Sequence, residues 1–148
     1  MKRFNFPLQK LLDFKQQLFE AERNVLAEMN AILRNLQGEL AALYREHGEK
    51  TLALRERTIT GITPPELAMH KNYLLSVEQA IRDKTVQIEY QQQAIDRQMT
   101  KVMEAKMEIS TIEKLREKKL DEYNYMDLKE QELFIEEFVT TSKAMAQI

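Results

Sequence analysis

The second half of the chain follows a seven-residue hydrophobic repeat. Its apolar members are Leu67, Leu74, Ile81, Ile88, Ile95, Val102 and Ile109. A second column lies three residues further into each repeat, and it is polar in its middle, at Lys84, Gln91 and Gln98. A strict heptad predicts a left-handed coiled coil with another helix. The polar column has two interpretations: long side chains lying along a partly wet seam, or a polar layer that fixes the register.

The first half of the chain carries a second apolar row in steps of mostly three and four residues. Its members are Leu8, Leu11, Phe14, Leu18, Val25, Met29, Ile32, Leu36, Leu40 and Leu43. This spacing is typical of an amphipathic helix, which we place at about residues 7–57 with Pro7 in its first turn. We expect this row to face the second helix.

A single corner separates the two patterns. Gly61 and the pair Pro64–Pro65 lie close together there, and residues 66–148 contain neither glycine nor proline. The sequence "TPPE" from Thr63 to Glu66 has the form of a capping box. We therefore predict a turn at about residues 58–63 and a helix at about 64–140. A short connection makes the helices antiparallel neighbours. The predicted fold is all-α: one domain, residues 1–148, with two long helices in an antiparallel coiled-coil hairpin and the second helix longer.

The second helix is expected to extend beyond the free end of the first helix. With the corner near residue 60, paired residue numbers sum to roughly 121, so Phe4 falls opposite about Glu117. About twenty later residues, some 30 Å of helix, then have no partner in the chain. Their large apolar side chains are Tyr123, Tyr125, Met126, Leu128, Leu133, Phe134, Ile135 and Phe138. Contiguous exposed apolar surface marks an interaction site; the alternative is that this end folds back or forms a homodimer.

Tyr44 and Tyr73 form a second candidate surface near the corner, just outside the apolar columns and on opposite helices. Tyrosine is enriched where proteins meet, although ordinary packing at the edge of the seam explains the pair equally well.

Composition argues against catalysis and against nucleic-acid binding. The net charge is −2 with mixed signs, there is no cysteine, and the three glycines are isolated. His47 and His70 are the only histidines, a weak basis for zinc. We expect no catalytic residue, no cofactor and no metal. No apolar run is long enough for a signal peptide or a membrane span.

Three segments resemble one known family. "FNFPLQKLL" (residues 4–12), "VEQAI" (77–81) and "IEKLREKK" (112–119) are similar to the corresponding stretches of the flagellar FliJ family. The family often has Asp-Glu after a late Glu-Leu, where this chain has Phe134 and Ile135.

The resemblance implies a non-enzymatic, cytoplasmic part of the flagellar type III export apparatus, peripheral to the inner membrane at the flagellar base. Its implied partners are the FliI-type export ATPase hexamer, the FlhA-type export gate protein and export chaperones, with membrane contact only through partners. The residues matched to the ATPase-binding end are Phe4, Phe6, Leu8, Leu11, Tyr123, Tyr125, Met126, Leu133, Phe134 and Phe138. The export-gate candidates are Tyr44, Tyr73, Val77 and Ala80. A homodimeric structural coiled coil and the stalk of a virulence-type secretion system stay open as alternatives.

Overall fold

A computed structural model describes residues 2–147, and this part of the chain consists of two α-helices without strands. Helix α1 spans Gln9–Thr60 and helix α2 spans Pro64–Ala146. They have 52 and 83 residues, so the predicted all-α hairpin with a longer second helix is confirmed. α1 begins two residues later than expected because residues 7 and 8 form a turn. Neither helix has a stretch within residues 2–147 that is long and apolar enough to cross a membrane.

Gly61 makes the corner between the helices. Its φ is 109°, a left-handed conformation that glycine adopts at low cost. Helix α2 is capped by Thr63, whose hydroxyl accepts from the backbone N–H of Glu66 at 3.4 Å. Only half of the predicted capping box forms, since the Glu66 carboxylate accepts from the Arg57 guanidinium at 3.0 Å instead of returning to the cap. Both helices therefore contribute to holding the corner.

Backbone contacts divide the chain into two units, each built from parts of both helices. The first, Ala21–Val102, contains the corner and has Val77 and Ile95 buried between its helices. Gln98 is buried too; its amide donates to the Glu22 carbonyl at 3.0 Å and also to the Glu22 carboxylate.

Gln91 repeats this arrangement one heptad earlier, donating to the Met29 carbonyl at 3.0 Å. Lys84 extends the polar column through an ion pair with Glu39. The two glutamine contacts join residues whose numbers sum to 120, against the roughly 121 expected from the corner. These specific bonds favour the polar-layer interpretation of the seam, because a slipped register would lose them.

The second unit combines the residues up to Glu20 with those from Met103 onward. Leu12 and Ile109 are buried in its seam. Lys15 forms an ion pair with Glu108 at 2.8 Å, beside this apolar layer.

The face of α1 that packs on α2 differs from the prediction. Leu11, Leu18, Val25 and Ile32, expected in the seam, are 41%, 40%, 42% and 49% exposed. The neighbouring column takes their place: Leu12 is buried, and Phe19, Leu26 and Leu33 are partly buried. The prediction was wrong here because two apolar columns run side by side along α1, and only one of them can face α2. Four other residues of the expected row are partly buried: Met29, Leu36, Leu40 and Leu43.

Candidate partner-binding surfaces

The N-terminal segment, residues 2–6, lies against α2 ahead of the first helix. The Tyr123 hydroxyl donates to the Lys2 carbonyl at 2.7 Å, and the Phe4 and Tyr123 rings lie 5.4 Å apart. The Arg116 guanidinium lies 5.8 Å from the centre of the Phe4 ring. Phe6 is only 6% exposed. The segment thus anchors the end of α1 to α2.

Tyr123 was expected to be uncovered, and the structure corrects this. Gln9 accepts from the Arg116 side chain, and the Lys2 carbonyl accepts from the Tyr123 hydroxyl. The residue numbers in both contacts sum to 125, against the roughly 121 expected, so the start of the chain reaches about four residues further along α2 than predicted. Tyr123 is partly buried as a result, while Tyr125 and Met126 beyond it remain exposed.

Residues 128–146 form the C-terminal extension of α2, in which every residue is exposed. Leu133, Phe134, Ile135 and Phe138 are 59%, 70%, 59% and 65% exposed. Successive helical residues point roughly 100° apart, so the three consecutive apolar residues face three different directions. A helix that is apolar on several sides is normally enclosed by other structure. Nothing in the described residues covers these side chains.

The end of α2 is also acidic. Residues 120–146 contain seven carboxylates and two lysines. One lysine, Lys129, places its ammonium 5.8 Å from the centre of the Tyr125 ring. A surface that combines large apolar groups with carboxylates suits a partner whose contact surface is apolar and basic.

The first turns of α1 add a separate exposed apolar row. Leu8 and Leu11, both predicted at the ATPase-binding end, are exposed, and Phe14 and Leu18 continue the row. Sequence reasoning placed the whole row in the seam, and it missed Phe14 and Leu18 as a surface. No local signal in the sequence could have found them, because the column through Leu11 and the column through Leu12 each contain five apolar residues in succession.

The residues predicted near the corner do not share one surface. Val77 is 5% exposed and packs between the helices, so it cannot touch a partner while the hairpin is intact. Tyr73 is exposed and its hydroxyl donates to the Glu46 carboxylate. Tyr44 precedes Glu46 by two residues, roughly 160° around α1. Tyr44 and Tyr73 therefore lie on opposite edges of the seam.

A shallow groove of about 490 Å³ follows the edge that carries Tyr73. Ala80 and Leu43 form its apolar floor, and Lys84, ion-paired with Glu39, lies in its wall. Ala80 is therefore a gate candidate that lines a concave surface.

The pKa of Tyr73 is raised above its ordinary value, first because the phenol donates a hydrogen bond to Glu46. Desolvation and the negative charge of Glu46 act in the same direction. The shift comes from a hydrogen bond between two side chains at the exposed edge of the seam.

Neither histidine contributes to a metal site in the described part of the chain. His47 pairs with the Glu78 carboxylate at 3.0 Å across the seam. Among residues 2–147 there is no cluster of three histidine, cysteine or acidic side chains that could hold a metal ion.

These features define the class of protein: a two-helix coiled coil with uncovered apolar surface beyond its paired region. Residues 4–140 match the model of the family described as "Flagellar FliJ protein". The match covers most of the sequence, and the chain belongs to this family.

A solved structure shares the fold. It is that of CT670 from Chlamydia trachomatis, a proposed YscO homologue, with a TM-score of 0.64 and 18% sequence identity. The alignment covers 98% of this chain and 96% of that chain. No curated protein matches the sequence significantly. Family membership and the shared fold together support a stalk-type protein of type III export.

Proposed function

We propose that this protein is a non-enzymatic stalk of the flagellar type III export apparatus. Its C-terminal extension binds within the hexameric export ATPase and promotes ATP turnover. The corner end links the ATPase to the export gate protein and helps to deliver chaperones and their substrates. The protein acts in the cytoplasm, at the inner membrane through its partners.

The distribution of apolar side chains around the extension carries this proposal. Leu133, Phe134 and Ile135 point in three directions and are all more than half exposed. A partner that packs on one side of the helix leaves at least one of them in water. The lumen of a ring encloses a helix on all sides and buries all three, at roughly 1.5–3 kcal/mol for each side chain fully buried.

Exposed residues near the start of α1 and at the base of the extension widen this surface. Leu8, Leu11, Tyr125 and Met126 are exposed, and we assign them to contacts with the same ring. Phe6 is buried, so its role is to fix the N-terminal segment in place.

Promotion of ATP turnover follows if the extension binds the assembled hexamer more tightly than the separate subunits. A ligand shifts an equilibrium only by the difference between its affinities for the two states. Adding the protein to purified ATPase at increasing ratios is expected to raise turnover until the hexamers are saturated. Unchanged turnover with an intact extension contradicts this part of the proposal.

Truncation after Asp127 removes the extension and so tests its role separately from that of the hairpin. It removes the apolar residues from Leu128 onward and keeps the contacts of Arg116 and Tyr123 with the N-terminal segment. We expect the truncated protein to remain a folded hairpin by circular dichroism but to lose ATPase binding and stimulation. Retained binding contradicts the assignment of the extension to the ATPase.

For the export gate, we assign the edge that contains Tyr73 and Ala80. Ala80→Glu places a charged side chain over the apolar floor of the groove and is expected to weaken gate binding while leaving ATPase stimulation unchanged. Tyr44→Ala, on the opposite edge, is the matched control. If the Tyr44 variant loses gate binding and the Ala80 variant keeps it, the edges are assigned the wrong way round.

A further inference from the structure

A cleft of about 500 Å³ lies where the N-terminal segment crosses α2. Its apolar wall is formed by Phe4, Tyr123 and Met126. Three cations line it: Lys2, Arg3 and Lys119. The one carboxylate among its lining residues, Glu122, lies 3.6 Å from the Lys119 ammonium. The cleft is therefore apolar inside and basic at its rim, which suits an acidic and apolar segment.

This chain carries such a segment in its C-terminal extension, where "LFIEEF" (residues 133–138) combines four large apolar groups with two carboxylates. The extension cannot enter its own cleft. α2 is continuous to Ala146, and Phe134 lies about eleven residues beyond Tyr123, roughly 16 Å further along the helix axis. An extension that fills the cleft must come from another molecule.

We propose that two copies of this chain form an antiparallel dimer in which each extension occupies the cleft of the other copy. Phe134 enters the apolar wall, and Glu137, which lies roughly 60° from Phe134 around the helix, is placed beside Lys2 and Arg3. The arrangement is reciprocal and closes with two-fold symmetry, as most soluble dimers do.

The exposed area suits a weak, reversible dimer. Phe134, Ile135 and Phe138 share one face of the extension and are each at least 59% exposed, or roughly 100 Å² apiece. Each copy contributes both an extension and a cleft, so two such contacts form, which together bury less than the ~800 Å² per partner of a standard interface.

Dimerisation buries the surface that the proposed function gives to the export ATPase. Self-association and ATPase binding then compete for one helix, and the dimer is a stored form of the protein. Because part of its stability comes from exposed charge pairs, the dimer weakens as salt concentration rises. The dimer itself does not depend on the ATPase proposal.

Complementary charge reversals test the dimer by sedimentation equilibrium. The first variant is Lys2→Glu with Arg3→Glu, and the second is Glu137→Lys. Either variant alone sets like charges against each other in both contacts, and we expect the dimer Kd to rise more than about tenfold. An equal mixture restores opposite charges in both contacts, so mixed dimers form with near wild-type affinity.

The matched control is Glu49→Lys with Arg55→Glu, two exposed residues of α1 outside the cleft, and it should dimerise like the wild type. The Lys2 carbonyl that Tyr123 binds is unaffected by these substitutions. Any one of three results overturns the dimer. These are a wild-type protein that stays monomeric, charge-reversed variants that still dimerise alone, and a mixture of the two variants that fails to associate. The first variant keeps its extension intact and should still bind the ATPase, so the two proposals can fail separately.

Discussion

Replacing both Phe134 and Phe138 with alanine removes the two largest side chains of the C-terminal extension. They are 70% and 65% exposed, so they add little to the stability of the hairpin. Enclosure in a partner removes about two-thirds of each side chain from water. Full burial of phenylalanine stabilises by at most roughly 3 kcal/mol, which gives roughly 2 kcal/mol for each residue and roughly 4 kcal/mol for both. At about 1.4 kcal/mol per tenfold change, the Kd for the ATPase should rise roughly 100- to 1000-fold.

The measurement is a binding titration of labelled protein with export ATPase hexamers, by fluorescence anisotropy. Val86→Ala with Tyr90→Ala is the matched control, because these exposed residues have the same four-residue spacing on the same helix. The control variant should bind like the wild type, and circular dichroism should show equal helicity in all three proteins. A rise in Kd of less than about threefold for the phenylalanine variant refutes the reasoning, since it corresponds to well under 1 kcal/mol.

Four further substitutions test the fold. Gln98→Ala removes the hydrogen bonds of the buried amide to the Glu22 carbonyl and carboxylate and should lower the free energy of unfolding by about 2 kcal/mol in a urea titration. Gly61→Ala should destabilise by about 1 kcal/mol because its φ is positive, whereas Gly38→Ala, inside α1 with open space around it, should stabilise by about 1 kcal/mol. Glu46→Gln should lower the pKa of Tyr73 in an ultraviolet titration. Since that pKa is raised in the fold, the stability that the bond contributes is present at neutral pH and lost as pH rises through the folded-state pKa.

The seam of α2 could be predicted from sequence because one column dominates it. Apolar residues recur there at seven-residue intervals, and Ile95 and Ile109 are buried as expected. The seam of α1 could not be chosen in the same way. Leu11 and Leu12 each begin an apolar column, and nothing local to either residue decides which one meets α2. The partner helix makes that choice through packing, which is a tertiary effect.

The edge of the C-terminal extension shows a second limit of sequence reasoning. A pairing sum of roughly 121 placed Tyr123 beyond the paired region. Residues 2–6 are not helical but lie against α2, where the Lys2 carbonyl and the Phe4 ring cover Tyr123. Heptad spacing predicts where helices pair, but it gives no information on the path of a non-helical terminus.

Site-specific photo-cross-linking at three consecutive positions tests the central claim most directly. A photoreactive amino acid is placed in turn at Leu133, Phe134 and Ile135, and the cross-linked products are identified after mixing with the export ATPase. Enclosure within the ring predicts cross-links to ATPase subunits from all three positions, because the side chains point in three directions. Cross-links from only one of the three positions contradict an enclosed extension. So does a lack of cross-links from all three positions when the same photoreactive residue, placed at Tyr90, does cross-link to the ATPase.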